Sequence, residues 1–117
     1  MAPKVSKFLS ISSWNVNGLF KRINGDRFCK LDETEFRDKI TSDIVFMCET
    51  HASGKDILYC NGYKYIAVCR SQEPSRARGG LGVFIKHSLS KGVQVMDNSN
   101  CEYIWLKLSK SFFRFQQ

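Results

Sequence analysis

An α/β fold built on a mixed, largely antiparallel sheet is the class these 117 residues predict, and three observations carry it. Residues 8–14 form an apolar and Ser-rich run that ends in Asn15-Val16-Asn17-Gly18, the pattern of a strand delivered into a turn. Residues 31–36 carry the signals of a helix start. Residues 44–48, Ile-Val-Phe-Met-Cys, are continuously apolar yet too short for an independent helix, and so read as a central strand buried on both faces.

Between the first two strands, residues 21–30 are charged and contain Asn24-Gly25, which predicts a loop with a turn. The helix follows. Asp32 is placed to accept from the Glu35 backbone N–H while Glu35 reaches back, and Leu31 and Phe36 supply the apolar staple across the first turn. Ile40, four residues after Phe36, extends a narrow apolar stripe over a few turns, and Thr41-Ser42-Asp43 ends it. Strand, helix and strand in this order make a βαβ-like unit whose strands are parallel neighbours with their C-terminal ends on one edge. Asn15, Asn17 and Glu49 then converge there.

Residues 63–68, 81–86, 93–96 and 103–108 alternate or run apolar between turn residues, predicting four further strands in an antiparallel meander, with residues 70–80 as the one long loop. Residues 111–117 are strand-like without a closing turn. The expectation is one domain over 1–117, the N-terminal part of an α/β sandwich that is truncated before the layer covering its second face.

A chain 43% hydrophobic and 25% charged is globular in composition. No apolar run is long enough to span a bilayer, and the N-terminus lacks the apolar stretch of a signal peptide. Cys29, Cys48, Cys60, Cys69 and Cys101 are odd in number and form no Cys-x-x-Cys pair, which argues against a zinc site and for free thiols in a reducing compartment, nucleus or cytoplasm. Cys48, inside the apolar run, reads as a small buried hydrophobe. The formal charge of +7 favours a polyanion. Nucleic acid, an acidic membrane face and a merely soluble basic surface all satisfy it.

The chemistry rests on two signals landing on one edge. Asn-x-Asn-Gly alone is a turn motif, since Asn tolerates left-handed φ and Gly adopts it freely. A Glu at a strand end alone is a solvated carboxylate. Together, on one sheet edge, they favour a metal site over either bland reading. Gly79-Gly80 lacks the spacing of a phosphate cradle and reads as a tight turn or close packing. Arg76 and Arg78 beside it suit either a nucleic-acid backbone contact or an ordinary basic loop. His51 is near enough in sequence to Glu49 to approach the metal edge, but reads first as a solvent-exposed loop histidine. Trp14, Trp105 and the phenylalanines fit core positions.

Residues 11–19, Ile-Ser-Ser-Trp-Asn-Val-Asn-Gly-Leu, then 43–50, Asp-Ile-Val-Phe-Met-Cys-Glu-Thr, then 78–85, Arg-Gly-Gly-Leu-Gly-Val-Phe-Ile, resemble the endonuclease/exonuclease/phosphatase superfamily in this order, and the likeness covers residues 8–108. Within it, residues 14–19 and Tyr103-Ile104-Trp105-Leu106 are most similar to the apurinic-type endonuclease domain of non-LTR retrotransposons. The resemblance implies a Mg²⁺- or Mn²⁺-dependent phosphodiesterase that nicks DNA, joined in the full element to a reverse transcriptase. It implies that Glu49 is the metal ligand, that Asn15 orients the metal site and the scissile phosphate, and that Asn17 stands where many relatives carry Asp or Asn. The superfamily's later Tyr, Asp-x-Asn and Ser-Asp-His motifs have no match here, so this polypeptide is expected to be inactive alone. Two other readings stand beside it: an inositol-phosphate or sphingolipid phosphodiesterase or phosphatase of the same superfamily, and a non-catalytic nucleic-acid-binding remnant.

Overall fold

The computed structural model describes residues 8–52, 56–69, 80–96, 104–110 and 112–113. The first strand, β1 (Ile11–Asn15), leads into a hairpin, β2 (Phe20–Ile23) and β3 (Asp26–Cys29), then a 3-10 turn at Lys30–Asp32 and a single helical turn, α1 (Thr34–Arg37). Next come β4 (Ile44–Cys48), β5 (Tyr63–Cys69) and β6 (Leu81–Lys86). A second 3-10 helix, His87–Gly92, leads to β7 (Val93–Val95) and β8 (Leu106–Leu108).

The principal sheet has the order β1-β4-β6-β5. β1 and β4 are parallel with Ile11 opposite Ile44 and Asn15 opposite Cys48, whereas β4–β6 and β5–β6 are antiparallel. The fold is mixed α/β with a mainly antiparallel sheet, as the sequence predicts. Parallel pairing of β1 with β4 requires a long crossover, and residues 16–43 supply it.

Side-chain alternation explains the unbroken apolar runs of β4 and β6. Val45, Met47 and Phe84 face one cluster with Leu19, Leu31, Ile40 and Leu58, while Ile44, Val83 and Ile85 face a second cluster with Val93 and Phe113. Both faces of the two central strands are therefore buried. The sequence predicts a bare second face, but the β7–β8 pair and Phe112–Phe113 pack upon it, and Ile44, Val83 and Ile85 are fully buried. Cover stops short of β1, where Ile11 stays 56% exposed. β7 and β8 pair with each other as a separate ribbon instead of extending the meander.

Several local expectations change. Residues 21–30 form the β2–β3 hairpin: Ile23 opposes Asp26 across Asn24-Gly25, both at positive φ of 52° and 87°, the geometry a two-residue hairpin turn requires. Only Phe20 and Cys29 pack on the core, so no apolar alternation announces the strands. The Arg27 guanidinium lies 3.6 Å over the Phe20 ring and pairs through both nitrogens with Asp56 at 2.9 and 3.3 Å.

The capping box does not form. Residues 30–32 already turn as a 3-10 helix, with the Glu33 N–H donating to the Lys30 carbonyl at 3.0 Å, so Glu33 and not Asp32 takes the extended cap position and caps without its side chain. The helix is one turn long. Leu31 and Phe36 nevertheless reach the first cluster as the staple predicts, and Phe36 stacks on Trp14 with centroids 4.6 Å apart. Trp14 thus packs, whereas Trp105 is 63% exposed and Phe8 and Phe28 are also exposed, contrary to a packing role for all the large aromatics. Cys48 is half-buried rather than buried, and Cys29, Cys48 and Cys60 are free thiols. Among the described residues no helix is long and apolar enough to cross a membrane.

Asp43 clamps the end of the sheet opposite Glu49. One carboxylate oxygen accepts from the Ser10 N–H at 2.9 Å and the other pairs with the Lys86 ammonium at 3.2 Å, while the Asp43 N–H donates to Ser10 Oγ at 2.9 Å. Partial burial pushes this carboxyl up, but the Ser10 donors and Lys86 outweigh it and hold it below the ordinary Asp value. The unfolded chain then binds the proton more readily, so the clamp stabilises above the ordinary Asp range and fades as pH falls through the lower folded value. Asp43→Asn is expected to cost about 1 kcal/mol at neutral pH, after allowance for solvent screening. Urea unfolding from pH 7 to pH 2 checks this: the gap between wild type and variant should close on the acid side.

Candidate functional site

Parallel pairing does not stop where β1 and β4 end. The Val16 N–H donates to the Cys48 carbonyl at 3.1 Å, the Gly18 N–H to the Glu49 carbonyl at 2.6 Å and the Leu19 N–H to the Thr50 carbonyl at 2.9 Å. Two turns are thus sewn together at the rim. There the Asn15 side-chain amide donates to a Glu49 carboxylate oxygen, and the Asn15 side-chain oxygen Oδ1 accepts from the Asn17 N–H at 3.0 Å. Asn15, Asn17 and Glu49 are all exposed at the surface.

The amide of Asn15 can satisfy both partners in only one orientation, with its NH₂ toward the carboxylate and its oxygen toward the Asn17 N–H. Asn15 therefore orients Glu49, and its own oxygen is already engaged by backbone. Glu49 keeps its second oxygen and further lone pairs for a cation or a water. Asn17 contributes its backbone to the turn at φ 49° and immediately precedes Gly18, whose N–H bonds the Glu49 carbonyl. One carboxylate held by an amide is a donor set that fits a largely hydrated Mg²⁺, whose protein ligands are few. Among the described residues no group of three or more His, Cys, Asp or Glu could hold a metal, so a site demanding several protein ligands, such as structural zinc, does not fit.

Backbone conformation concentrates strain at this rim. Among the described residues four non-glycine residues have positive φ, and three of them, Asn17, Glu49 and His51, lie here. For Glu this conformation costs on the order of 1–2 kcal/mol, and such outliers persist where the surroundings over-determine them. The continued backbone pairing is what imposes it.

Three contributors went unpredicted. Lys30 sends its ammonium to the Val16 carbonyl at 2.9 Å and its N–H to the Leu19 carbonyl at 2.6 Å, closing the turn from behind. Thr50 is almost fully buried, and its Oγ accepts from the Ala52 N–H at 3.3 Å while its own N–H donates to the Gly80 carbonyl at 3.3 Å. Gly80 stands so close that a Cβ there would lie 2.5 Å from Thr50 Oγ, which makes the expected close packing concrete. His51 is half-buried, not a free loop histidine: a Cβ on Gly18 would sit 2.7 Å from its Nδ1. The available signal was its position two residues after Glu49, opposite the Asn-Gly turn. Arg76, Arg78 and Gly79 lie outside the described residues.

Two substitutions separate strain from function. Gly18→Ala meets both a φ of +81° and the imidazole, and should destabilise by about 2 kcal/mol, with His51→Ala in the same chain recovering only the steric part. Glu49→Gly relieves left-handed strain at the expense of chain entropy, so its stability should stay within about 1 kcal/mol of wild type. Chemical denaturation midpoints measure both.

No protein-family model, no curated protein and no solved structure matches this chain.

Proposed function

We propose that the Asn15–Glu49 rim is the cation-holding end of a Mg²⁺-dependent phosphodiesterase site acting on DNA, of the endonuclease/exonuclease/phosphatase type. The observation that carries this reading is the hydrogen bond from the Asn15 amide to the Glu49 carboxylate, made between the tips of adjoining parallel strands. It is supported by the exposure of the carboxylate, by the left-handed backbone that aims it, and by the +7 charge of the chain, which suits a polyanionic substrate.

Glu49 would hold the cation, with Asn17 beside it, and Asn15 would fix the carboxylate so that its free oxygen faces outward. Bound there, Mg²⁺ supplies Lewis-acid polarisation of a phosphoryl oxygen and stabilises charge developing on the phosphoryl group. Activation of water and protonation of the leaving oxygen need further groups. The resemblance assigns these to Asp-x-Asn and Ser-Asp-His segments, which residues 1–117 do not match.

Mn²⁺ serves as the probe. Titrated into the ¹⁵N-labelled chain, it should broaden the amide signals of residues 15–18 and 49–51 first, and Glu49→Gln should abolish that selectivity while leaving the remaining spectrum intact. Uniform broadening, or broadening centred elsewhere, would remove the basis of the proposal. Fused to Asp-x-Asn and Ser-Asp-His segments of that type, the same residues should nick supercoiled plasmid only with Mg²⁺ or Mn²⁺, with Glu49→Gln losing about 10²-fold or more. Release of inorganic phosphate from a lipid or inositol phosphate without nicking would favour the phosphatase branch instead.

A further inference from the structure

The β7–β8 ribbon carries features that the Asn15–Glu49 rim does not use. Its inner residues Val93, Val95, Leu106 and Leu108 pack on the principal sheet. Alternation then turns Gln94, Lys107 and Trp105 outward, with Gln94 directly opposite Lys107 and Trp105 63% exposed. The Met96 N–H bonds the Trp105 carbonyl at 2.9 Å, so the indole stands on a paired strand rather than on a loose tail. At the other end of the ribbon an open groove is lined by Lys91, Lys107 and Lys110 around Gly92 and Ser109, with no carboxylate among the described residues that line it. The Ser109 N–H donates to the Gly92 carbonyl at 2.9 Å and fixes the groove floor.

From this we infer that the outward face of β7–β8 and its lysine groove form a binding surface for a single-stranded nucleic acid, separate from the Asn15–Glu49 rim. Lysines that track a phosphate backbone beside an aromatic ring that accepts a base are the two parts of sequence-tolerant strand binding. Lys107 on β8 lies two residues after Trp105, which immediately precedes the strand, roughly 7 Å along extended backbone, so one nucleic-acid strand can meet both. An anionic membrane would also attract lysines and tryptophan, but a flat lipid face does not enter a concave groove, whereas a phosphate chain does. The surface is also well placed to act independently. β6 runs antiparallel to β4, so its Lys86 end lies beside Asp43, at the end of the sheet opposite Glu49, and the 3-10 helix and ribbon continue from there.

Fluorescence anisotropy with a labelled, mixed-sequence strand of about 16 nucleotides, in EDTA, tests this without the metal rim. Wild type should bind, and K91Q/K107Q/K110Q should bind at least about 10-fold more weakly, with the slope of log K against log salt reduced by about 2. W105A should lose about 5- to 100-fold with the slope unchanged. N15A and E49Q should bind as wild type. Thermal melts accompany each variant, and K107Q alone provides the readout if the triple variant unfolds. Unchanged affinity and slope in the lysine variants would overturn the inference. So would binding lost only in N15A or E49Q, tighter binding to the matching duplex, or capture by phosphatidylserine vesicles without binding to the strand.

Discussion

Backbone pairing between two parallel strands is ordinarily a matter of fold, but here it continues past the strand ends and becomes a matter of chemistry. The bonds from Val16, Gly18 and Leu19 to the carbonyls of Cys48, Glu49 and Thr50 hold two successive turns at fixed register. Parallel geometry brings both C-terminal ends to one edge, so any polar residue just beyond Trp14 or Met47 faces its counterpart without a loop having to carry it there. The left-handed backbone at Asn17, Glu49 and His51 follows from that register, because the chain must leave both strands while its amides stay paired. Were β1 to slip by one residue, Asn15 would move to the opposite face and the amide–carboxylate contact would be lost.

The same pairing shapes the core. β4 and β6 are the two inner strands of the sheet and are buried on both faces, while β1 and β5 lie at its edges. An edge strand needs fewer apolar residues, and β1 spends its alternation accordingly: Trp14 packs with Phe36, whereas Ile11, Ser13 and Asn15 stay exposed. Tyr63 joins the layers by donating its hydroxyl to the Ser42 carbonyl at 2.6 Å. Tyr65, partly buried, packs against Phe84, and burial pushes its phenol up to about 12.

Legibility in the sequence tracked how strongly each element depends on burial. Ile44–Cys48 and Leu81–Lys86 were readable to the residue because central strands are written as apolar runs. The β2–β3 hairpin was not, since its stability comes from the Asn24-Gly25 turn, the Arg27–Asp56 pair and the ring of Phe20 rather than from alternation, although the turn itself was marked. The cap slid from Asp32 to Glu33 because a 3-10 turn ahead of the helix competes with a capping box on equal local terms. At the rim, Asn15 and Glu49 could be paired from topology alone. Lys30 and His51 could not, because their roles depend on how the crossover folds back over the turn, a long-range outcome that no local pattern records.

A rim with one carboxylate and two amides has a consequence for how a cation and a phosphate would share it in the proposed function. Each added carboxylate raises cation affinity but also repels an incoming phosphate. With Glu49 as the one fixed negative charge of the rim among the described residues, and with Asn15 donating to it rather than competing for the cation, a divalent ion would remain mostly hydrated and net positive. Such an ion is a better receptor for a phosphodiester than one neutralised by several carboxylates, so cation and nucleic acid would each favour binding of the other by the same factor. In the proposed function the neutral amide of Asn17, where a carboxylate would also satisfy the turn, would shift the balance in that direction: weaker hold on the free ion, stronger dependence on the substrate to complete its coordination.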